Sequence, residues 1–300
     1  MSVLVVGSIA YDTIETPYGN ANDSPGGSAL YFSAAASLFC PVNVVGVVGS
    51  DFDASQISFL KKRGVNLDGL YVESGDTFRW GGRYHKNINK RDTLFTYLNV
   101  FENFQPKIPV QYRDAEYVFL ANIDPTLQLQ VLDQINKPKL VVLDTMNFWI
   151  SGKRKKLDEV VKRCDILILN DEEARELSDE QNLITAMRKI SKVGKQKTVI
   201  VKKGEHGAVL FKKNSFFYLP AYPLDKVVDP TGAGDSFAGG FLGYIAKMGN
   251  ARLSTLKKAL VYGSSIASFN VEDFSFNRLR SLTNEELDNR FKEFKALTRF

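Results

Sequence analysis

The stretch Asp229-Pro230-Thr231-Gly232-Ala233-Gly234-Asp235-Ser236-Phe237 says more about the fold of this chain than any other part of its sequence. Its small residues, 232–234, allow bare backbone N–H groups to come close to a ligand. The small and apolar pattern of residues 236–248 predicts a helix directly afterwards. Because the first N–H groups of a helix lack partners and lie at the positive end of its dipole, the stretch predicts an anion-binding site.

Asp235, at the start of that helix, has two interpretations. Asp is a preferred helix N-cap, so Gly-Ala-Gly-Asp taken alone is compatible with an ordinary turn and cap. In the other interpretation, Asp235 faces a substrate hydroxyl and takes its proton while the neighbouring N–H groups hold phosphoryl oxygens. The flanking Asp229 and Thr231 favour the second interpretation.

Apolar runs rich in β-branched residues alternate with helical patterns on both sides of this stretch. Several runs are continuous rather than alternating, which is typical of strands buried on both faces of a parallel sheet. The alternation predicts an α/β fold with a doubly wound, mostly parallel sheet flanked by helices. The predicted strands are residues 3–9, 42–48, 117–120, 140–143, 166–169, 198–201 and 208–211.

Two segments, residues 10–24 and roughly 68–100, interrupt this alternation. Both have an extended pattern rich in glycine and polar residues, and both are inserted between units of the main sheet. Short strands split across two insertions cannot form a core of their own. We therefore expect a single domain, residues 1–300, in which these segments form a small sheet, or lid, over one edge of the large sheet.

Composition excludes several classes of protein. Hydrophobic residues make up 44% of the 300, enough for a sizeable core, and the net charge is +5. The lysines are scattered apart from the cluster 153–156, so we expect no nucleic-acid partner and assign the charge to attraction for a nucleotide. Neither of the two cysteines has metal-ligand spacing. No signal-like or membrane-spanning run is found, so a cytoplasmic protein without a membrane partner is expected.

Polar residues follow five of the predicted strands. In open α/β sheets, ligands bind outside the carboxyl ends of the strands. Each residue alone has an ordinary explanation as a turn residue, a helix cap or a hairpin loop. Together, at one edge of one sheet, they predict a binding site. They are Asp12, Asn122, Asp144, Asn170 with Glu173, and Lys202 with Gly204 and Gly207.

The positions of the glycines near the N-terminus argue against a dinucleotide-binding oxidoreductase. A dinucleotide-binding oxidoreductase would carry Gly-x-Gly-x-x-Gly after the first strand, but residues 7–12 read Gly-Ser-Ile-Ala-Tyr-Asp. Gly26 and Gly27 instead precede the first predicted helix, where they allow a hinge and close backbone approach.

The stretch 229–237, followed by Ala238-Gly239-Gly240-Phe241, closely resembles the C-terminal signature of the ribokinase-like (PfkB) family of sugar and nucleoside kinases. The order of the other motifs is similar to that family over almost the whole chain. The resemblance implies a large α/β domain with a β-sheet lid. It also implies ATP-dependent phosphorylation of a hydroxyl group on a sugar, polyol or nucleoside.

The resemblance also implies roles for individual residues. Asp235 corresponds to the general base, and the N–H groups of Gly232, Ala233 and Gly234 correspond to the anion hole. The other expected roles are acceptor binding for Asp12, Gly26, Gly27, Tyr31, Asn122 and Asp144, nucleotide binding for Lys202, Gly204, Gly207 and Asn270, magnesium binding through water for Asn170 and Glu173, and K⁺ binding for Asp229 and Thr231.

Two departures from the family pattern bear on the substrate and the cation. Tyr31 stands where sugar-specific relatives usually carry Asn, which favours a nucleoside or a polyol such as inositol. The turn at residues 269–274 lacks the small residues common at the family's cation site, which puts K⁺ dependence in question. Arg79, Arg83 and Arg91 of the lid either contact a phosphorylated substrate or are ordinary exposed strand arginines.

The same sequence leaves the activity and the assembly as hypotheses. The competing function is a non-catalytic protein that binds a nucleotide or metabolite on the same scaffold. The intact Asp235 favours the kinase, because a protein without activity has no need of that carboxylate. A homodimer formed through the lid is also expected, since a small sheet has few ways to hide its edge strands.

Overall fold

Two sheets, with helices packed on the larger one, make up the fold. The structure, a computed structural model, describes residues 1–195 and 197–299. The strands are β1 (Val3–Val6), β2 (Ala10–Thr16), β3 (Gly19–Gly26), β4 (Val42–Gly49), β5 (Val65–Glu73), β6 (Phe78–Tyr84), β7 (Arg91–Tyr97), β8 (Tyr117–Leu120), β9 (Leu140–Asp144), β10 (Ile166–Asn170), β11 (Thr198–Lys202), β12 (Ala208–Lys212) and β13 (Ser215–Leu219). The helices are α1 (Ser28–Ala36), α2 (Ser58–Lys62), α3 (Pro125–Gln134), α4 (Asn147–Gly152), α5 (Arg154–Arg163), α6 (Asp171–Ser178), α7 (Leu183–Ser191), α8 (Ala233–Met248), α9 (Leu253–Asn270), α10 (Asn277–Ser281) and α11 (Asn284–Leu297).

The large sheet has nine strands in the order β13-β12-β11-β10-β9-β8-β1-β4-β5. Neighbouring strands from β11 to β5 run parallel, and β12 and β13 join them antiparallel. The predicted mostly parallel sheet is therefore confirmed. Strands β5 and β13 were missed because edge strands are only partly buried and lack the continuous apolar run of a central strand.

Strand β1 shows why the central strands are apolar throughout. Val3 and Val5 pack into one hydrophobic cluster, while Leu4 and Val6 pack into a second cluster on the opposite face. The first cluster is closed by α1, α8 and α9, and the second by α3, α5, α6 and α7. Each fully buried Val or Leu contributes roughly 1.5–3 kcal/mol, so the two cores fix the strand ends at which the site is built.

The small sheet, which we call the lid, has four strands in the order β3-β2-β6-β7. Its strands occupy residues 10–26 and 78–97, so the second lid segment starts later than residue 68. Residues 68–73 belong instead to β5, which pairs in parallel with β4 of the large sheet. The apolar residues of β5 alternate with polar ones because only part of this edge strand is buried, and that pattern resembles a lid strand in the sequence.

The carboxyl ends of three neighbouring strands bring the predicted polar residues together. Asn170 at the end of β10 is paired with Lys202 at the end of β11. On the other side of β10, Ile168 is paired with Asp144 at the end of β9. Three of the predicted strand-end groups therefore lie side by side at one sheet edge, as expected for a parallel sheet.

Helix α8 begins at Ala233, three residues before the predicted start at Ser236. Gly232 has a φ of 72°, a left-handed conformation that favours glycine and lets the chain turn directly into the helix. Asp235 consequently lies within the first turn. Within residues 1–195 and 197–299, no helix is both long enough and apolar enough to cross a bilayer.

Candidate active site

The start of α8 combines two glycines that are needed for different reasons. A side chain at Gly232 would begin 2.3 Å from the ring of Tyr31, in addition to the strain of its positive φ. Gly234 has ordinary helical geometry, but a Cβ there would lie 2.8 Å from Nζ of Lys202. The first glycine therefore makes the turn, and the second leaves room for a lysine.

The backbone N–H groups at this helix start are not all equally available. The N–H of Ala233 donates to the carbonyl oxygen of Pro230 at 3.2 Å. The first helical hydrogen bond is donated by Ser236 to Gly232 at 2.8 Å, so the N–H groups of Gly234 and Asp235 precede the helical ladder. Of the three residues expected in the anion hole, Gly234 is thus better placed than Ala233 to meet a ligand.

Asp235 has the properties of a proton acceptor that works near neutral pH. Burial and the neighbouring Asp144 raise its pKa to about 7, against the opposing effect of Lys202. A catalytic base is most effective when its pKa lies close to the working pH. A simple helix cap on the surface would keep a low pKa, so the second interpretation of this residue is favoured.

Lys202 lies near three carboxylates, those of Asp144, Glu173 and Asp235. We call these four residues the Lys202 cluster. Nζ of Lys202 lies 3.7 Å from Oδ1 of Asp144. Burial works to lower the pKa of Lys202, but the three carboxylates outweigh it and raise that pKa. Asp144 is 5% exposed and its pKa is raised by burial, with Lys202 opposing. The cluster therefore holds one ammonium group firmly charged at the strand ends.

Asn170 and Glu173 form a reciprocal cap at the start of α6. Oδ1 of Asn170 accepts from the N–H of Glu173 at 2.8 Å, and Oε2 of Glu173 accepts from the N–H of Asn170 at 2.7 Å. Burial raises the pKa of Glu173 to about 7, against the effect of Lys202. The capping interpretation is thus realised, and one carboxylate oxygen of Glu173 remains outside the cap.

A cavity of about 650 Å³ leads to the start of α8. Its wall is mainly apolar, including Pro220, Leu224 and Val227, and α9 contributes Ala267. Ala233, Gly234 and Lys202 also line it, so the glycine-rich start of α8 borders an apolar cavity. The predicted loop residues Gly204 and Gly207 also line it.

The lid reaches this cavity, which the sequence did not predict. Ile88 and Asn89, between β6 and β7, line the cavity mouth. Nδ2 of Asn89 lies 3.4 Å from Oε1 of Glu205 in the loop between β11 and β12. The turn after β6 therefore touches the loop that borders the cavity.

Asp12 lies on the other side of the helix start, on lid strand β2. It is 4% exposed, and its Oδ2 lies 1.9 Å from the position of a Cβ on Gly26, so only glycine fits there. Burial, together with the charges of Asp229 and Asp235, raises the pKa of Asp12 to about 8. The backbone of Gly27 and the charge of Arg91 oppose that shift. Asp12 and Asp235 are thus close enough for the charge of one to affect the pKa of the other.

The lid face that carries Asp12 also carries aromatic residues that sequence reasoning did not assign. Trp80 of β6 is paired with Asp12, and its ring covers Gly82, where a Cβ would lie 2.2 Å from it. Tyr84, two residues further along the same face, accepts a hydrogen bond from Oγ1 of Thr231 at 3.2 Å. The alternation of residues 80, 82 and 84 was the available signal in the sequence. It becomes informative only once the structure shows which face of the lid these residues of β6 occupy.

The three lid arginines differ in their surroundings. Arg79 pairs with Asp23 and Asp51, and Arg83 with Glu15, so both have local structural partners. Arg91 makes no ion pair among the residues that the structure describes and stacks over Trp80, 4.9 Å from its ring centroid. Arg91 is thus the lid arginine closest in character to a ligand-binding group.

Tyr31, Asn122 and Asn270 lie away from the positions expected of them. Tyr31 is 1% exposed and packs edge-on against Phe276, behind the 229–237 loop rather than on a substrate-facing surface. Oδ1 of Asn122 accepts from Nε1 of Trp149 at 3.0 Å. Asn270 is fully buried, and its Nδ2 donates to the carbonyl oxygen of Thr231 at 2.8 Å. The surroundings of these three residues are those of supporting groups.

Asp229 is fully buried and holds the loop in place. Its Oδ1 accepts from the N–H of Thr231 at 2.8 Å, and its Oδ2 accepts from the N–H of Ser275 at 3.1 Å. Burial raises the pKa of Asp229, and the donated hydrogen bonds oppose the shift. Asp229 therefore links the loop before α8 to the turn after α9.

A doubly wound sheet with a lid, and a glycine-rich helix start beside an apolar cavity, is the arrangement of a kinase for small molecules. The chain belongs to the pfkB family of carbohydrate kinases, whose family model matches residues 1–279. It is a PfkB-type sugar or nucleoside kinase of an ATP-dependent family.

Two relatives illustrate the similarity in sequence. A cytidine kinase of Thermococcus kodakarensis is 30% identical over 249 residues, which cover 81% of this chain and 87% of the relative. A nucleoside kinase of Methanocaldococcus jannaschii is 26% identical over 258 residues, which cover 83% of this chain and 81% of the relative.

Two solved structures illustrate the similarity in fold. The nucleoside kinase of Methanocaldococcus jannaschii, described as an archaeal member of the ribokinase family, has a TM-score of 0.76 at 23% identity, covering 97% of this chain and 98% of that one. The apo form of a putative ribokinase II from E. coli has a TM-score of 0.81 at 20% identity, covering 97% of this chain and 99% of that one. The ribokinase-like α/β fold with its lid is thereby confirmed.

Proposed function

We propose that the protein transfers the γ-phosphoryl group of ATP to a hydroxyl group of a nucleoside, with Asp235 as the general base. The observation that carries this proposal is the meeting of two sides at one helix start. Gly234 lines the apolar cavity, and Asp12 of the lid is close enough to Asp235 for their charges to interact. The donor phosphates and the acceptor hydroxyl would therefore meet at Asp235.

The residues support an in-line transfer. The Asp235 carboxylate takes the proton as the acceptor O–H bond breaks, and the acceptor oxygen forms a bond to the γ-phosphorus. The bond from that phosphorus to the β,γ-bridging oxygen breaks, and its electron pair leaves with ADP. The N–H group of Gly234 holds the negative phosphoryl oxygens. Asp12, on the lid, orients the acceptor. The lid and the bound acceptor together exclude water from the site.

A nucleoside is favoured over a free sugar by the lid and by the relatives. The lid face that carries Asp12, which we call the inner lid face, offers Trp80 with the guanidinium group of Arg91 stacked over its ring. A planar base gains stacking energy on aromatic rings and on guanidinium planes. Asp12 is left to bind a ribose hydroxyl. The names of the two relatives, a cytidine kinase and a nucleoside kinase, agree with this acceptor class. The buried Tyr31 gives no support of its own.

Magnesium would be held by the donor phosphates and, through water, by the carboxylate oxygen of Glu173 that lies outside the α6 cap. Bound there, the ion neutralises phosphate charge. Within the described residues, no cluster of three or more His, Cys, Asp or Glu side chains has metal-binding geometry, which fits an ion carried in by the nucleotide.

The atoms expected to hold K⁺ fit that ion poorly. The carbonyl oxygen of Thr231 accepts from Asn270, and both carboxylate oxygens of Asp229 accept backbone N–H groups. Each of these oxygens thus has a protein donor already, and the loop is held in place without an ion. The proposed reaction therefore does not require K⁺.

The lid is also the surface proposed for a homodimer. Its outer strand β7 is almost entirely exposed, and Tyr97 there is 56% exposed. An unpaired edge of this kind pairs readily with another strand. Light scattering at micromolar protein should give the mass of two chains, and a single-chain mass at all concentrations would contradict this.

A screen of ADP release over nucleosides, free sugars, sugar phosphates and inositol tests the acceptor class. We expect the highest kcat/KM with a nucleoside and a phosphomonoester product by ³¹P NMR. Turnover of a free sugar or inositol with no turnover of any nucleoside would contradict the proposal.

A further inference from the structure

The small size of Gly234 leaves room for Lys202 as well as for a ligand at its own backbone N–H group. Its φ lies outside the left-handed range, so an L-residue could adopt its conformation. The nearest obstacle to a side chain is Nζ of Lys202, 2.8 Å from the Cβ position, and the next atom is Cε of the same residue at 3.8 Å. The space at Gly234 is therefore occupied by an ammonium group.

The ammonium group of Lys202 lies near Asp144 on one side and is partly exposed to the cavity on the other. Asp144 lies 3.7 Å from Nζ, with a side chain 8% exposed, while the side chain of Lys202 is 22% exposed. Lys202 also lines the cavity together with Ala233 and Gly234. The charge is therefore anchored from the strand ends and faces the place where the cavity meets the helix start.

We propose that Lys202 is a catalytic residue whose ammonium group contacts the transferring phosphoryl group, with Gly234 leaving the space for it and Asp144 positioning it. The inference rests on the proposed function, because it concerns the step in which the γ-phosphoryl moves from ATP to the acceptor. In that step negative charge spreads over the phosphoryl oxygens and the departing bridging oxygen. A fixed cation stabilises this charge more than the charge of bound ATP, so it acts mainly on kcat.

A purely structural role makes a different prediction. If Lys202 only compensates the buried carboxylates, its removal lowers stability and raises the pKa of Asp235, and kcat measured well above that pKa stays nearly unchanged in the surviving folded protein. If it contacts the phosphoryl group, kcat falls in protein that is still folded. The neighbouring Lys203, which has no ion-pair partner in the described part of the chain, supplies a matched control of the same residue type.

The experiment is a double-mutant cycle between positions 202 and 234. Lys202→Met should lower kcat about 100-fold, with KM for the nucleoside changed less than threefold, and Lys203→Met should change neither. Gly234→Ala should lower kcat at least tenfold in the otherwise native chain, because the added methyl displaces the ammonium group. In the Lys202→Met chain the same change should cost less than in the native chain, because the clash with the ammonium group is gone and only the crowding of the bound phosphate remains.

Two results would overturn the proposal: kcat of Lys202→Met within threefold of the native value, or an equal cost of Gly234→Ala in both backgrounds. Should Lys202→Met fail to fold, Lys202→Arg and Lys202→Gln take its place. The charged variant should keep at least ten times the kcat of the neutral one, and equal values would count against a charge contact. Thermal melting of each variant reports folding.

The acceptor screen separates this inference from the proposed function. If the native protein phosphorylates only sugars or polyols, the nucleoside assignment fails, and the variants are compared with that acceptor instead. If the native protein phosphorylates nucleosides while the Lys202 variants match it, the role of Lys202 alone is wrong.

Discussion

The cavity proposed for ATP and the inner face of the lid meet at Asp235, but they are built differently. The cavity is walled by apolar residues of the large domain and borders a helix start that the core holds in place. The lid face carries charged and aromatic groups on a small sheet with two open edges. Changes on the lid face that carries Asp12 and Trp80 should therefore alter acceptor binding, whereas changes at the helix start should abolish transfer.

The largest effect on kcat is expected at Asp235, where the cavity proposed for ATP and the inner lid face meet. Asp235→Asn removes the proton acceptor and should lower kcat about 1,000-fold, while ATP affinity measured by calorimetry changes little. Asn keeps the size of the side chain, so folding should be retained. A kcat within tenfold of the native value would mean that another group is the base.

Asp12→Asn tests the acceptor side. Loss of the hydrogen bond between the Asp12 carboxyl group and a hydroxyl should raise KM for the nucleoside about tenfold, with KM for ATP unchanged. An equal rise in KM for the nucleoside and KM for ATP would show that Asp12 does not act on acceptor binding alone.

The same variant has a predictable effect on stability. The folded-state pKa of Asp12, about 8, lies above the unfolded value, so the folded state binds the extra proton and loses stability as pH rises from about 4 to about 8. Asp12→Asn should therefore raise Tm at pH 8 and change it little at pH 4. A lower Tm at pH 8 would contradict the burial of an uncompensated carboxyl.

Trp80→Leu should raise KM for the nucleoside about tenfold through the loss of base stacking, with KM for ATP unchanged. Phe95→Leu is the matched control, because Phe95 covers Gly81 on the opposite face of the lid. If both variants behave alike, the inner lid face does not bind the base.

The smallest effect concerns K⁺. Replacing K⁺ with tetramethylammonium at constant ionic strength should change kcat less than twofold, because Asn270 and the backbone of Ser275 already serve Thr231 and Asp229. Activity that depends on K⁺ more than tenfold would show that the loop opens to admit the ion.

The helix start and the inner lid face also differ in how far the sequence could predict them. Residues 229–237 are contiguous and govern the helix start by local rules, so a helix start beside Asp235 was predictable. The inner lid face arises only when Asp12 and Trp80, far apart in the chain, are paired in one sheet. No local pattern contains that pairing, and so Trp80 and Tyr84 were missed.

Tyr31 and Gly234 show a related limit. A family pattern placed Tyr31 at the acceptor, but the close contact with Gly232 and Phe276 puts its ring in the core. One reason for Gly234 lies in Lys202, which reaches it from a neighbouring part of the sheet edge. Contacts between distant segments, rather than local propensity, decide both positions.

The pH dependence of kcat/KM in the native protein tests the central claim most directly, that Asp235 accepts the proton during transfer. Because the carboxylate form is required and the pKa of Asp235 in the free protein is about 7, kcat/KM for the nucleoside should fall about tenfold per pH unit below that value. A kcat/KM independent of pH between about 5 and 7 would contradict the account.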